Sequence, residues 1–539
     1  MDFDDVFVPN SDKTIGHLGL VAGSYDELHI GTIIDHLIPK NGPHTLSHGD
    51  IVKAMTINGL GYIERRLYLF PAFFTDLSLK RLFNKDITAD HLNDDVIGRT
   101  LDAIAAFGPT ELFNHIVSDC LERDQFAINL VNTDTTNFSV YGDYDSDTNT
   151  EEIEITYGHP KDGRWDLKRF VLGMATNQYG IPLMLQTFSG NESDKKSLLR
   201  MVTGIKENLK IDEKVLHVAD AAFYTEENLQ TLGIHTFWIS RVPMVILEAD
   251  ELRRTEEPFI TCSDDRYSYY SSFSNYAGIR QKWFVFHSSE QQKRKESTFE
   301  KKIEKELDKS RKSLKHLASK RFACEPDAQN AINDWIVKHP WIEFDSCSVK
   351  QVHEKIEKKR GRPTKDETLI VKYAIEGGIS LNKKYVERER AILGRFIVAT
   401  NDLDLDPESA LSYYKGQYQV EKGFKFLKDK TFRVSEVFLK NIGRIQALAM
   451  IMVLCLYVYA VSEYKLRKGL KESNESVPSQ TGKPTQNPTM RWVFFLFRRV
   501  RELSLKIEGK VVTKVLNLDE TIRKIVKQLG PEYEKYYFY

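Results

Sequence analysis

The sequence predicts an α/β protein in which a strand-rich core is split by a large insertion, preceded by a helical N-terminal domain and followed by a small C-terminal module. Three observations carry this reading. From Phe126 to Asp220 the pattern runs through strands, then a helix, then a further strand. A helix of mixed chemistry, Tyr413 to Lys430, returns only after residues 241–394, a gap far too long for a loop. A polar Ser, Pro and Asn stretch, KESNESVPSQTGKPTQNP, then separates the last segment. We place the boundaries at residues 1–120 for the helical domain, 121–240 and 395–470 for the two parts of the core, and 241–394 for the insertion. The linker is residues 471–489 and the C-terminal module 490–539.

A chain of 539 residues has room for a catalytic core with appended modules. With 41% hydrophobic and 28% charged residues, its composition is that of a globular protein. The net charge of −1 gives no global nucleic-acid signal, so partners must be inferred from local patches, where acidic sites can cancel basic ones. Five scattered cysteines without a CxxC pair argue for a reduced, cytoplasmic protein and against zinc or a disulfide framework. The acidic start MDFDDVFVPN lacks the apolar run of a signal peptide. Ala447 to Val461 is nearly all apolar, but it is shorter than the roughly 20 residues a membrane span requires, so it reads as a buried core helix with no membrane partner.

In the first domain, Ser24 with Glu27 and Ser47 with Asp50 have capping-box spacing. Ile30, Ile33, Ile34 and Leu37 keep the helical period until Pro39, and Asn58 with Gly59 look like a helix end. From Phe126 the pattern changes. FAINLVNTDTT is an apolar run containing Asp134, EEIEITYG alternates Ile153, Ile155 and Tyr157, and RFVLGMAT is joined to IPLMLQTF by the turn-like NQYG. Leu198, Val202, Ile205 and Leu209 then mark a helix, KVLHVAD a buried strand ending at Asp220, Thr225 a cap and HTFWIS a further strand. In the insertion, KWFVFH reads as a strand and Gln291 to Arg321 as a charged, solvated helix.

In the helix YYKGQYQVEKGFKFLKDK, residues Tyr414, Gln417, Glu421 and Lys428 return to one face, because spacings of three, four and seven do so. Tyr413, Val420, Phe424 and Leu427 form the neighbouring apolar stripe. The spacing resembles the signature of bacterial insertion-sequence transposases of the insertion-sequence-four-like superfamily: Tyr, two residues, Arg, three residues, Glu, six residues, Lys. These are DDE recombinases with a ribonuclease-H-like core. Tyr414, Glu421 and Lys428 match it, and Gln417 stands where most members have Arg.

The resemblance implies that Glu421 completes a catalytic, metal-binding triad with two upstream Asp residues, for which Asp134 and Asp220 lie on the appropriate strands. It implies two Mg²⁺ (or Mn²⁺) ions, hard cations suited to carboxylate oxygens. It also implies that Tyr414, Gln417 and Lys428 contact DNA phosphate. NGLGYIERRLYLFPAFF and HLNDDVIGRTLDAI look like the N-terminal, end-binding domain of one branch, and GRFIVATND like the strand returning to the core. TYGHPKDGRWDLKRF places Lys161 and Arg164 among the expected DNA contacts. SGNESD looks like a further family feature, with ordinary turn and cap roles open for Asn191 and Asp194.

Two local motifs stand apart. Asp143, Asp145, Asp147, Asn149 and Glu154 imitate the ligand spacing of a calcium loop, but Thr148 replaces the required Gly and flanking helices are missing, so an acidic hairpin loop is expected. In KKRGRPTKDE, Arg360 and Arg362 match the core of an AT-hook, or form a basic loop that touches phosphate. The whole reads as an insertion-sequence transposase: a metal-dependent endonuclease and strand transferase that binds terminal inverted repeats and target in double-stranded DNA, as a homodimer. The alternatives are a related nuclease without strand transfer and a transposase-derived DNA-binding protein that has lost catalysis.

Overall fold

The computed structural model describes residues 7–61, 70–123, 126–141, 144, 153–160, 163–209, 214–355, 369–429, 441–508 and 510–539. The N-terminal part begins with strand β1 (Phe7–Thr14), followed by helices α1 (Leu18–Glu27), α2 (Ile30–Leu37), α3 (His48–Leu60), α4 (Asp94–Phe107) and α5 (Pro109–Glu122). The expected capping box at Ser47 is present: Ser47 Oγ accepts from Asp50 N–H at 3.1 Å, and Asp50 accepts from Ser47 N–H at 2.9 Å. Ser24 is not a cap. It lies inside α1, fully buried, with its hydroxyl aimed at the Val458 carbonyl 3.4 Å away.

The core is a nine-stranded mixed sheet in the order β4-β3-β2-β5-β6-β12-β9-β8-β7. Its first strands are β2 (Leu130–Ser139), β3 (Arg169–Asn177) and β4 (Pro182–Ser189), an antiparallel meander followed by helix α6 (Asp194–Asn208). The NQYG turn joins β3 to β4: Asn177 Oδ1 accepts from the N–H groups of Tyr179 and Ile181, and Gly180 takes the left-handed φ of +78°. Strands β5 (Leu216–Ala219) and β6 (Trp238–Arg241) then add in parallel beside β2. This order is consistent with a ribonuclease-H-like core. EEIEITYG forms no strand among its described residues: Thr156 makes an isolated bridge to Arg169, and Glu154 bonds to Ser189 Oγ and Gly190 N–H without extending it into a ladder.

The same sheet continues through β7 (Ile260–Thr261), β8 (Tyr267–Ser274) and β9 (Gln281–Ser288), all antiparallel. Helices α7 (Ser289–Ala318) and α8 (Glu325–Lys338) pack on a long ribbon of β10 (Ile342–Lys355) and β11 (Leu369–Leu381) around their own apolar cluster, including Phe299, Trp335, Trp341 and Ile375. Strand β12 (Arg395–Thr400) brings the chain back into the sheet between β6 and β9. Helices α9 (Pro407–Gly416) and α10 (Tyr418–Leu427) follow.

Next comes α11 (Ile442–Glu472), 31 residues long. By length and composition it could cross a membrane, yet 83% of its most apolar stretch is buried inside the protein. It packs against α1, α3, α4, α5, α10 and β4, so the N-terminal helices and the nine-stranded sheet share one core through it. Asn441 caps it by accepting from Arg444 N–H at 2.9 Å, and Arg444 grips Asp102 of α4 with two bonds of 2.6 and 2.7 Å.

The end of the chain returns to its beginning. Strand Arg501–Ile507 pairs with β1 and with Lys510–Leu516, while Tyr533, Tyr536 and Tyr537 bury against α1. Two glycines of α1 make room for them: a Cβ at Gly19 would fall 2.8 Å from the Tyr537 ring, and one at Gly23 would fall 3.0 Å from the Tyr533 backbone. A helical glycine exposed to solvent is stabilised by a side chain, by about 1 kcal/mol for Ala. Gly23→Val should do the reverse and cost about 1–3 kcal/mol through overpacking. Urea unfolding measures this, and a variant as stable as the parent would mean that the tyrosines do not sit on α1.

Candidate active site

Strand alternation decides which side chains share a face. On β2, Leu130, Asn132, Asp134, Thr136 and Phe138 point one way. Residue Thr133 pairs in parallel with Ala219, and Ala219 with Ser240, so Asp134, Asp220 and Arg241 are the next rung across three adjacent strands. Leu130, Leu216, Val218, Ile239, Phe396 and Val398 form one apolar cluster with Ala410 and Leu411 of α9. By alternation the Asp134, Asp220 and Arg241 side chains lie on that same face, the one covered by α9 and α10.

Three contacts fix the path of these helices over β2. A Cβ at Gly416 would lie 3.7 Å from Leu130 and 3.9 Å from Asn132. One at Gly423 would lie 2.7 Å from Met174, the β3 partner of Asp134. Lys428 Nζ donates to Thr136 Oγ1 at 2.6 Å and stands 5.4 Å from the centre of the Phe138 ring. Moving from Gly416 to Lys428 therefore follows the strand from Leu130 to Thr136, and Glu421 stands in the middle of that path, exposed. Tyr414, half-buried, feels both acids. Burial pushes its phenol up; the positive charge of Arg241 opposes this, while the Asp220 and Glu421 carboxylates reinforce it.

The expected single helix is interrupted at Gln417, which retains helical angles (φ −54°, ψ −24°) but ends one helix and begins the next. Its N–H bonds to the Tyr414 carbonyl at 3.3 Å, and its own carbonyl is reached by Val420 N–H at 3.2 Å and by Glu421 N–H only at 3.5 Å. These are bonds of the tighter three-residue kind at a junction that Gly416 weakens. Gln417 is 8% exposed. Tyr414 and Glu421 thus lie to either side of a junction, and Lys428 at the end of the second helix.

Both aspartates are held locally. Thr135 N–H donates to Asp134 Oδ1 at 2.7 Å, and Thr135 Oγ1 donates to Asp194 at the start of α6 on the opposite face of the sheet, also at 2.7 Å. Asp220 directly follows β5 and opens a tight turn, with Ala222 N–H on its Oδ1 at 2.9 Å and the buried Ser240 hydroxyl donating to its carbonyl at 2.8 Å. Three carboxylates on one face are a donor set suited to a hard divalent cation. Among the described residues no three His, Cys, Asp or Glu side chains approach closely enough to enclose an ion as they stand.

The other predicted contacts are elsewhere. Arg164 is exposed and paired with Asp166 at 2.7 and 2.8 Å; that guanidinium holds the Asp166 carboxyl down at about 2, and Asp166 in turn raises Arg164. Lys161, Arg360 and Arg362 lie outside the described residues, as does most of the acidic loop that imitates a calcium site. Arg241 and Gly423 escaped the sequence reading. An Arg that ends the strand after KVLHVAD is the signal that could have found the first, and nothing short of the packing against Met174 marks the second.

A family model described as Transposase DDE domain matches residues 134–458. A second, described as Domain of unknown function (DUF4277), matches residues 10–118. No curated protein matches the chain.

Because α10 packs through Gly423 on Met174 of β3, the cross-strand partner of Asp134, and on Leu456 of α11, a side chain there should shift Glu421 relative to the aspartates. Gly423→Val should cost about 1–3 kcal/mol of stability and reduce any activity of the site well beyond what its lowered melting temperature explains. Retained stability together with full activity would show that α10 does not rest on Met174.

Proposed function

The chain belongs to the transposases that carry the DDE domain, whose model spans more than half of it, and on that premise we propose that it is the transposase of an insertion sequence which binds terminal inverted repeats, cuts DNA at them and joins the freed ends to target DNA. The observation that carries this reading is the shared face: Asp134 and Asp220 on neighbouring parallel strands, beneath the helix that bears Glu421. As a DDE transposase its substrate is DNA and its process is DNA transposition and recombination.

Asp134, Asp220 and Glu421 are the residues that would hold divalent metal, two Mg²⁺ or Mn²⁺ ions. Such ions, when bound, supply a water nucleophile at neutral pH and offset charge at the phosphorus under attack. The chain's own groups do the rest. Thr135 N–H and Ala222 N–H fix the two aspartates by hydrogen bonds to their carboxylates, which keeps these oriented before substrate arrives. The Tyr414 phenol, kept protonated by burial and by the neighbouring acids, is a hydrogen-bond donor for a phosphate oxygen. Lys428, anchored on Thr136, adds an ammonium on the far side of Glu421. Gln417, proposed as the third member of this group, is 8% exposed at the α9–α10 junction, so it is the least accessible of the three.

Cleavage at an element end leaves a 3′ hydroxyl, which attacks target phosphate in line, with no covalent intermediate on the protein. Two ends must be held together for this, which is why we take the working form on DNA to be a homodimer. The N-terminal domain is the reader of the ends. Lys161, Arg164, Arg360 and Arg362 are further DNA contacts, and the β10–β11 ribbon flanks the segment that carries the last two.

Asp134→Asn, Asp220→Asn and Glu421→Gln should each abolish cleavage of element-end DNA in Mg²⁺ while leaving end binding nearly intact. A readout independent of activity accompanies this. Mg²⁺ at about 100 times its dissociation constant should stabilise the wild type by about 2.7 kcal/mol, and the three variants should lose most of that shift. Cleavage near the wild-type rate by any of them, or an unchanged shift in all three, would remove the triad from the reading.

A further inference from the structure

Beyond the side that bears Glu421, α10 borders a groove to which the proposed chemistry gives no task. At about 100° per residue, Gln419 and Phe426 lie roughly opposite Glu421 on this helix, and Tyr418, Lys422 and Lys425 lie between. The groove on that far side has a volume of about 540 Å³, within the range of sites that hold small molecules, and is walled by the NQYG turn, α10 and the second half of α11. One wall is a tyrosine pair. Tyr179 is 47% exposed, and its ring centre stands 4.5 Å from that of Tyr464 with the planes 40° apart. The turn holds Tyr179 firmly: its N–H donates to Asn177 Oδ1 at 3.0 Å, and a Cβ on the following Gly180 would lie 3.2 Å from Gln419 of α10. An exposed ring fixed in this way is a platform on which a planar group can stack.

The other walls supply charge. Lys422 of α10 and Lys468 and Lys471 of α11 line the groove. Lys468 reaches Glu472 only at 4.0 Å, and among the described residues Lys422 and Lys471 form no ion pair. Arg467 is already satisfied by Glu463 at 2.7 Å and by the Pro488 carbonyl at 2.9 Å. An aromatic platform beside uncommitted lysines suits single-stranded nucleic acid, in which every base has a face to stack and every link a negative charge. A closed duplex cannot use the platform, because its bases are stacked on one another. We infer that this groove binds unpaired nucleotides of the DNA strand that passes Glu421, with a base on Tyr179 and backbone phosphates on Lys422 and Lys471. To reach it the strand crosses the exposed ridge of α10, where Lys425 Nζ stands 5.3 Å from the centre of the Tyr418 ring. That crossing is one helix width, roughly 10–12 Å. Glu421 and Lys422 are neighbours on one helix, so the acid and the first lysine of the groove keep a fixed spacing along the strand.

This inference rests on the transposase reading, and the experiment keeps the two apart. The full-length chain, without divalent metal, is titrated with a labelled mixed-sequence blunt duplex and with the same duplex carrying an unpaired tail of about six nucleotides, at the 3′ end in one probe and at the 5′ end in another. One tailed probe should bind more tightly than the blunt duplex. Tyr179→Ala should weaken binding of that probe about 5- to 150-fold and leave the blunt duplex unchanged, while Tyr179→Phe, which keeps the ring, should bind both as the wild type does. Lys422→Ala and Lys471→Ala should each flatten the dependence of log affinity on log salt by about 0.7 on the tailed probe. Both lysines are exposed, so their variants keep the fold whatever Tyr179→Ala does to the turn. Tails that add nothing to blunt-duplex affinity overturn the groove, as does a folded Tyr179→Ala protein that binds the tailed probe like the wild type or loses equally on both duplexes. An unchanged salt slope in both lysine variants overturns it too. A wild-type chain that binds none of the three probes overturns the transposase reading itself.

Discussion

The burial of α11 is the constraint on which the rest of the structure depends. Residues Ile451 to Val458 are each 5% exposed or less, so this stretch has no solvent face and must be covered from every side. Each buried Leu, Val or Met contributes about 1.5–3 kcal/mol relative to exposure. The cover comes from units far apart in sequence: α1, α3, α4 and α5 on the N-terminal side, β4 at the edge of the sheet, α10 beside the carboxylates, and Glu520–Leu529 near the C-terminus. Glu421 is thereby placed by the same core that holds the N-terminal helices. A change that loosens α11 against either partner reaches the acid through α10.

The local grammar of the chain was legible because it is local. The Ser47 box, the Thr225 cap, the strands holding Asp134 and Asp220 and the buried apolar helix all follow from patterns that close within a few residues. The failures share a different cause. Ser24 has the spacing of a cap, but the apolar residues around it extend the helix through it. EEIEITYG has the alternation of a strand, but its described residues meet Arg169, Ser189 and Gly190 only through isolated bonds that never become a ladder. The continuation of the sheet through residues 260–288 depends on β12 entering between β6 and β9, a pairing of segments more than a hundred residues apart. No window of sequence contains that information.

At the site the division is similar. Two carboxylates at strand positions and a third on a helix could be read from residue types and order, and the shared face follows once the register is known. The junction at Gln417 could not be read, because the spacing of Tyr414, Gln417, Glu421 and Lys428 fits one continuous helix perfectly well. At the junction Gly416 weakens the helix and the bonds around Gln417 are of the tighter three-residue kind, while beyond it Gly423 packs against Met174 of β3 and Leu456 of α11.

The pairing of β1 with Arg501–Ile507 has a consequence for how the protein comes into being. Asp12 and Arg501, joined at 2.5 Å, are 489 residues apart in the chain. At ordinary elongation rates of about 5–20 residues per second, roughly 25–100 s pass between the synthesis of one and the synthesis of the other. Throughout that interval α1 has emerged without the tyrosines that cover Gly19 and Gly23, and its apolar face is open to water or to chaperones. The N-terminal domain is therefore completed late although it is made first, only after the strand that pairs with β1 and the tyrosines that cover α1 have been synthesised.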